Sequence, residues 1–170
     1  MKTNIIIIIT SIVISTMGFS QIVNQTLEND GFEPTLIQEN YNSKIEEIDK
    51  ITTSINKNID NYQKIEKVKN ATGNKYNYYK SNELQLVTVE AFENNLTKKV
   101  CWYFQNNQLI FSDVLWTNNE SGIIVKYVKA YLQNEKLFAW IKTDNSYINP
   151  NSQEFKDADE QLREYASTLK

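Results

Sequence analysis

The residue types that carry most enzyme chemistry are scarce in this chain of 170 residues, which has no His and one cysteine, Cys101. Without His it lacks the usual general base and the commonest transition-metal ligand. A pair of catalytic carboxyls must lie within several ångströms of each other, and the spacing of the acidic residues predicts no such pair. The acids at predicted strand ends are Glu90, Glu93, Asp113 and Asp144. The sequence therefore predicts no catalytic residues, cofactor or metal site, and it disfavours an enzyme without excluding one.

Cys101 lies in the run Val100–Phe104, whose apolar and aromatic residues are typical of a buried strand. A single cysteine excludes a disulfide within the chain. We therefore expect Cys101 to be a small, buried core residue.

Tyrosine and tryptophan offer a second kind of chemistry, recognition by large side chains that combine a ring with a polar group. If the hairpins described below have two-residue turns, one face of the sheet carries such rings beside polar residues. Lys129 would lie opposite Trp140, where an ammonium group can contact the ring. Aromatic pairs also stabilise sheets without binding anything, and this alternative stays open. The candidate interaction face has six residues: Tyr76, Tyr78, Tyr103, Tyr131, Trp140 and Lys129.

The opposite face of the predicted sheet is apolar, and we expect the helices to cover it as the core. Its residues are Trp102, Phe104, Leu109, Phe111, Val128, Leu132, Leu137 and Ile141.

These faces belong to strands that come from an internal repeat. The segment Tyr103–Phe111 is echoed by Tyr131–Ala139, and a fainter copy covers Tyr78–Leu86. Each copy has an aromatic or apolar pair, a polar tetrapeptide containing Asn, and then Leu, which predicts a hairpin with a tight turn. Three consecutive hairpins over residues 74–144 give a six-stranded antiparallel meander.

The unit Tyr103-Phe104-Gln105-Asn106-Asn107-Gln108-Leu109 resembles the Tyr-Tyr-x-Asn-Gly-x-Leu hairpins of MORN-type repeat proteins. The resemblance covers about residues 76–143, and the turn glycine of those repeats is Asn107 or Glu135 here. It implies β-hairpins and an interaction or scaffold element, and it implies no enzymatic activity.

Two helices are predicted to flank the sheet. Over residues 35–69, apolar residues recur every three or four positions, which predicts a long amphipathic helix. A break near residues 58–61 would give two helices in its place. The apolar stripe would pack on the sheet or form a homodimer contact. A second helix is predicted over residues 152–169. The fold class is therefore α+β within one domain, residues 35–170.

The first 20 residues have the pattern of a bacterial export signal. Lys2 precedes the apolar segment Ile5–Ile14, and the small residues Gly18 and Ser20 suit cleavage before Gln21. A retained transmembrane anchor is the alternative, although the polar interruptions make the segment short for one. Residues 21–34 are expected to be a flexible leader.

Cleavage at that position would leave a periplasmic or secreted protein without a stable membrane anchor. The net charge of −3, with no polybasic run, disfavours nucleic acid as a partner. The first hypothesis is a non-catalytic binding or interaction module of the cell envelope, with an unknown envelope protein or ligand as its partner. The alternatives are a self-associating structural protein or an inhibitor of another exported protein, and then a carboxylate-dependent glycan hydrolase.

Overall fold

The computed structural model of the protein describes residues 34–168, with side chains from residue 41 onward. The predicted export signal and nearly all of the leader lie outside the described residues. No helix of the described part is long and apolar enough to cross a membrane. The elements follow in this order: α1 (Pro34–Lys57), a short 3-10 helix (Ile59–Asn61), β1 (Gln63–Asn70), β2 (Gly73–Lys80), β3 (Glu83–Glu93), β4 (Leu96–Gln105), β5 (Gln108–Asn118), β6 (Ile124–Gln133), β7 (Lys136–Ile141) and α2 (Gln153–Thr168).

The seven strands form one antiparallel meander in the order β1 to β7. The predicted antiparallel meander is confirmed, and its six predicted strands correspond to β2–β7. The strand number was wrong, because the residues of β1 had been assigned to the first helix.

The wrong prediction of a helix over β1 has a physical reason. Helix α1 ends at Lys57, within the region where a break was considered. In β1, Ile65 and Val68 are three positions apart, which fits a helix. The pairing of β1 with β2 is irregular between Glu66 and Val68, and this bulge returns Val68 to the face of Ile65. A bulged strand can therefore imitate helical spacing.

The three repeated hairpins share the same turn. Each has two central residues with positive φ, as a type I′ turn requires. The pairs are Ser81 and Asn82, Asn106 and Asn107, and Asn134 and Glu135. The hairpins that the MORN-type resemblance implies are present, with Asn, Ser and Glu adopting the left-handed conformation.

Each of these hairpins also has a bulge beside its turn. The register shifts between Tyr78 and Tyr79, between Tyr103 and Phe104, and between Tyr131 and Leu132. The residues left over on the returning strands are Gln85, Ile110 and Phe138.

Because of the extra residue, everything beyond each bulge faces the opposite way from the prediction. Phe111 and Ile141, predicted in the core with Trp102, lie on the other face. Trp140 lies opposite Ala130 and belongs to the face of Trp102. The predicted pairing of Lys129 with Trp140 was wrong, since Ile141 lies opposite Lys129.

Each face of the sheet has its own helix, so the prediction that both helices cover one face was also wrong. The α1 face is the one on which Ile48 and Ile55 of α1 pack, and its buried sheet residues are Leu86, Cys101, Tyr103, Phe111, Tyr131 and Ala139. The α2 face packs against Phe155, Ala158, Leu162 and Ala166 of α2, and its largest buried sheet residues are Trp102, Phe104 and Trp140.

Helix α2 is held at its beginning by polar contacts. The backbone N–H of Phe155 donates to Ser152 Oγ at 3.2 Å, which is an N-cap. The backbone N–H of Leu137 donates to Asp159 Oδ1 at 2.7 Å. Asp159 also pairs with Arg163 at 3.0 Å, so its buried carboxylate ties the helix to β7.

Candidate functional site

Helix α1 crosses the strands of its face. Tyr41 contacts the ring of Phe138 on β7, with ring centroids 4.9 Å apart. Further along the helix, Asp49 Oδ1 accepts a hydrogen bond from Tyr131 Oη on β6 at 3.0 Å. Near its end, Asn56 Oδ1 accepts one from Tyr103 Oη on β4 at 3.2 Å. The helix therefore covers one row of side chains across the sheet.

Two residues of the candidate interaction face thus hold α1 in place. Tyr131 is 1% exposed and Tyr103 is 4% exposed. Most of the area of both rings packs in the core beneath the helix. In this fold the two phenols anchor a helix.

The other four members of that face are dispersed. Tyr76 and Tyr78 are half-buried on the α1 face, where Lys64 Nζ lies 3.9 Å from the Tyr76 ring centroid. Lys129 is on the same face, 5.4 Å from the ring of Tyr127. Trp140 is 1% exposed on the α2 face. The structure does not bring the six residues into one open surface.

A cleft opens on the α1 face where α1 ends. After Lys57 the chain turns through the 3-10 helix and returns as β1, so the neighbouring rows of the sheet stay uncovered. The cleft has a volume of about 310 Å³. We call it the Asp113 cleft. Its lining residues come from α1, the 3-10 helix and strands β2 to β6: Asn56, Ile59, Tyr78, Leu86, Thr88, Lys99, Cys101, Tyr103, Asp113, Leu115 and Tyr127.

Three adjacent strands supply the polar residues at the centre of the cleft. Thr88 on β3 lies opposite Cys101 on β4, and Cys101 lies opposite Asp113 on β5. The thiol of Cys101 and the carboxyl of Asp113 are therefore neighbours on one face of the sheet. One row further from α1, Lys99 lies opposite Leu115, which in turn lies opposite Tyr127. The cleft thus combines hydroxyl, carboxyl and ammonium groups with apolar side chains.

Burial changes the ionisation of these groups. It raises the pKa of the Asp113 carboxyl, although the neighbouring Cys101 and the charges of Lys99 and Lys129 act in the other direction. Burial also raises the pKa of the Cys101 thiol, and the nearby Asp113 charge adds to the effect. Burial is also the main cause that raises the pKa values of the Tyr103 and Tyr127 phenols. The thiol and both phenols therefore stay neutral near pH 7.

Lys99 provides the positive charge of the cleft. Its Nζ lies 3.8 Å from Glu90 Oε1, and 45% of its side chain is exposed. This distance and exposure make the ion pair weak. No ion pair within the described part of the chain includes Asp113.

The sequence analysis named Asp113 at a strand end, Cys101 in the core and two of the lining tyrosines in the candidate interaction face, without bringing them together as one site. It missed Thr88, Lys99 and Tyr127. Alternation along β4 places Lys99, Cys101 and Tyr103 on one face. That signal was present, but the position where α1 ends was needed to know which of these side chains remain uncovered.

Outside the cleft, the sheet has a cluster of two lysines around a tryptophan and a group of exposed apolar side chains. On the α2 face, Lys98 Nζ and Lys126 Nζ each lie 4.9 Å from the ring of Trp116. Burial lowers the pKa of Lys98 to about 8. At the β5–β6 connection, Ile123, Ile124 and Val125 are exposed.

Comparison of the chain with protein-family models, with curated proteins and with solved structures gave no match. Among residues 41–168, no group of three or more His, Cys, Asp or Glu side chains is arranged to hold a metal ion.

Proposed function

We propose that the protein is an exported, non-catalytic binding module of the cell envelope that holds a small polar ligand in the Asp113 cleft. The observation that carries the proposal is the cleft itself, in which polar and aromatic groups from five strands converge at the end of α1. Its volume of about 310 Å³ lies at the lower end of the range for small-molecule sites, about 300–1,000 Å³. The ligand is therefore of the size of a single metabolite.

The chemistry of the lining favours binding over catalysis. A nucleophilic cysteine needs a lowered pKa, whereas burial raises the pKa of Cys101. Asp113 is the one carboxyl in the lining. The other carboxylate close by, Glu90, contacts Lys99. A glycan hydrolase with two convergent acids gains no support from this arrangement.

Packing also bears on self-association. Ile48 and Ile55, from the apolar stripe of α1, are buried against the sheet of their own chain. The stripe therefore does not need a second chain to cover it, and this weighs against a homodimer through α1. The cleft needs no second copy to complete it.

Binding is tested by NMR titration of the labelled protein with a set of amino acids, monosaccharides, simple amines and simple carboxylates. We expect at least one of them to shift the amide signals of Thr88, Cys101 and Asp113 in a saturable way. The variant Leu115→Trp fills the cleft and should abolish the shifts, whereas Ile124→Trp, at an exposed position, should keep them. If no compound shifts these signals up to millimolar concentration, the proposal fails.

Export is tested separately by expressing the full chain in a bacterial host and measuring the mass of the protein recovered outside the cytoplasm. We expect a chain that begins at Gln21. A membrane-bound chain of full length would favour the anchor instead.

A further inference from the structure

We infer that the ligand of the Asp113 cleft carries both an ammonium and a carboxylate group, as an apolar α-amino acid does. This inference rests on the proposed function and goes further by naming the class of ligand. It is carried by two opposite charges, Asp113 and Lys99, that line the same cleft among apolar walls.

The two charged residues are neighbours in the sheet. Lys99 and Asp113 are diagonal neighbours on adjacent strands, because Asp113 lies opposite Cys101 and Lys99 is two residues from Cys101. The Cα atoms of diagonal neighbours are about 7–8 Å apart in a sheet. A small ligand in the cleft can therefore contact both residues, and the flexible stem of Lys99 allows its ammonium to meet a carboxylate.

Neither charge has a close partner of opposite charge on the protein. Within the described part of the chain, Asp113 takes part in no ion pair, although Lys129 lies opposite it and the charges of Lys99 and Lys129 both act on its pKa. The ion pair of Lys99 is its 3.8 Å contact with Glu90. A ligand ammonium beside Asp113 and a ligand carboxylate beside Lys99 would each replace lost hydration with an opposite charge. The Tyr127 and Thr88 hydroxyl groups offer further donors in the same lining.

A neutral sugar fits the lining less well. It could donate hydrogen bonds to Asp113, but it would bury both charges without bringing a counter-charge to either. The remaining walls are apolar, formed by Ile59, Leu86 and Leu115. These side chains suit the apolar side chain of an amino acid.

The test uses leucine and three matched probes: 3-methylbutylamine, which lacks the carboxylate, 4-methylpentanoate, which lacks the amine, and glucose, which has neither charge. Valine and phenylalanine are added to cover smaller and larger side chains. We expect at least one amino acid to bind in calorimetry and to shift the cleft signals in NMR. Each single-charge probe should bind about 10- to 100-fold more weakly than leucine, since each lacks one charged hydrogen-bond partner.

Variants then assign the charges. Asp113→Asn should weaken the binding of leucine and of the amine but leave 4-methylpentanoate unchanged. Lys99→Gln should weaken leucine and 4-methylpentanoate but leave the amine unchanged. The matched controls are Glu164→Gln and Lys136→Gln, at exposed positions on α2 and β7, and both should bind as the wild type does. Circular dichroism confirms that each variant is folded, and the analogue series on the wild-type protein tests the inference even if a variant unfolds.

Two results would overturn the inference and leave the binding function intact. One is tight binding of glucose, or of another member of the metabolite set, without binding of any of the three amino acids. The other is equal affinity for leucine and a single-charge probe. The absence of binding by every compound in the set would remove the binding function as well.

Discussion

Each face of the sheet packs against one helix, yet the two faces are filled differently. On the α2 face, the rings of Trp102, Phe104 and Trp140 are buried with α2, and the space left beside them is about 40 Å³. On the α1 face, tyrosines donate hydrogen bonds to the helix and a cleft of about 310 Å³ lies beside it. One face is a packed core and the other combines a core with a site.

The contrast between the faces arises from where each helix ends. Helix α2 carries the apolar residues Phe155 and Leu162 across its face. Helix α1 stops at Lys57, and the chain leaves to form the edge strand β1. The rows of the α1 face beyond that point keep polar residues because no helix covers them.

The largest effect is expected on the packed face. Trp140→Ala removes a ring that is 1% exposed and leaves a cavity, which should lower the free energy of unfolding by about 3–5 kcal/mol. Urea denaturation followed by circular dichroism measures it. A loss below about 1 kcal/mol would show that the α2 face is not tightly packed.

The next effect tests how α1 is held. Tyr131→Phe removes the hydrogen bond to Asp49, and because the acceptor is a carboxylate we expect a loss of about 1.5–3 kcal/mol. The matched control is Tyr127→Phe at the cleft, which should change stability by less than about 0.5 kcal/mol. Equal effects in the same denaturation experiment would contradict the anchoring role of Tyr131.

A larger side chain should destabilise the packed α2 face more than the face with the cleft. Ala130→Leu places extra atoms into the packed α2 face and should cost about 1–3 kcal/mol. Leu115→Trp adds more atoms, but it points into the open cleft and should cost less than about 1 kcal/mol. Thermal melting of both variants checks the order, and a larger loss for Leu115→Trp would indicate that the cleft is closed in solution.

The smallest effect concerns the charge in the cleft. Burial raises the pKa of Asp113 in the folded protein above the unfolded value of about 3.9. Between the unfolded and the folded pKa the folded state binds more protons than the unfolded state. The free energy of unfolding therefore falls as pH rises through this range. Asn does not titrate, and Asp113→Asn should therefore gain stability relative to the wild type as pH rises from about 3 to about 7.

The control for this pH series has the opposite sign. Hydrogen bonds from Ser146 lower the pKa of Asp144 in the folded protein. The stabilisation it provides is present above its unfolded pKa and is lost as pH falls, so Asp144→Asn should lose stability relative to the wild type toward pH 7. Thermal melting across pH measures both variants. The same slope for both would contradict the assigned environment of Asp113.

The predictable parts of the fold depended on local signals. The repeated Asn-containing tetrapeptides predicted three tight turns, and residues such as Asn106 and Asn107 adopt positive φ there. The segment starting at Ser152 predicted α2, whose cap is present. These features depend on the conformational preferences of a few neighbouring residues, which any reader of the sequence can assess.

The candidate site was much less predictable, and the bulges are the main cause. One extra residue per hairpin, such as Ile110, reverses the face of every residue that follows it until the next irregularity. It moved Phe111 to the α1 face and Trp140 to the α2 face. The bulge in β1 also gives Ile65 and Val68 a helical spacing, so the sequence pattern predicts a helix where the chain forms a strand.

The sequence by itself determined the antiparallel hairpins, the flanking helices and the scarcity of catalytic residue types. These follow from local backbone preference and composition. Only the tertiary structure decided which helix covers which face and where α1 leaves the sheet uncovered. Those outcomes depend on contacts between residues far apart in the chain, such as Asp49 with Tyr131 and Asn56 with Tyr103. The Asp113 cleft exists because of these long-range contacts.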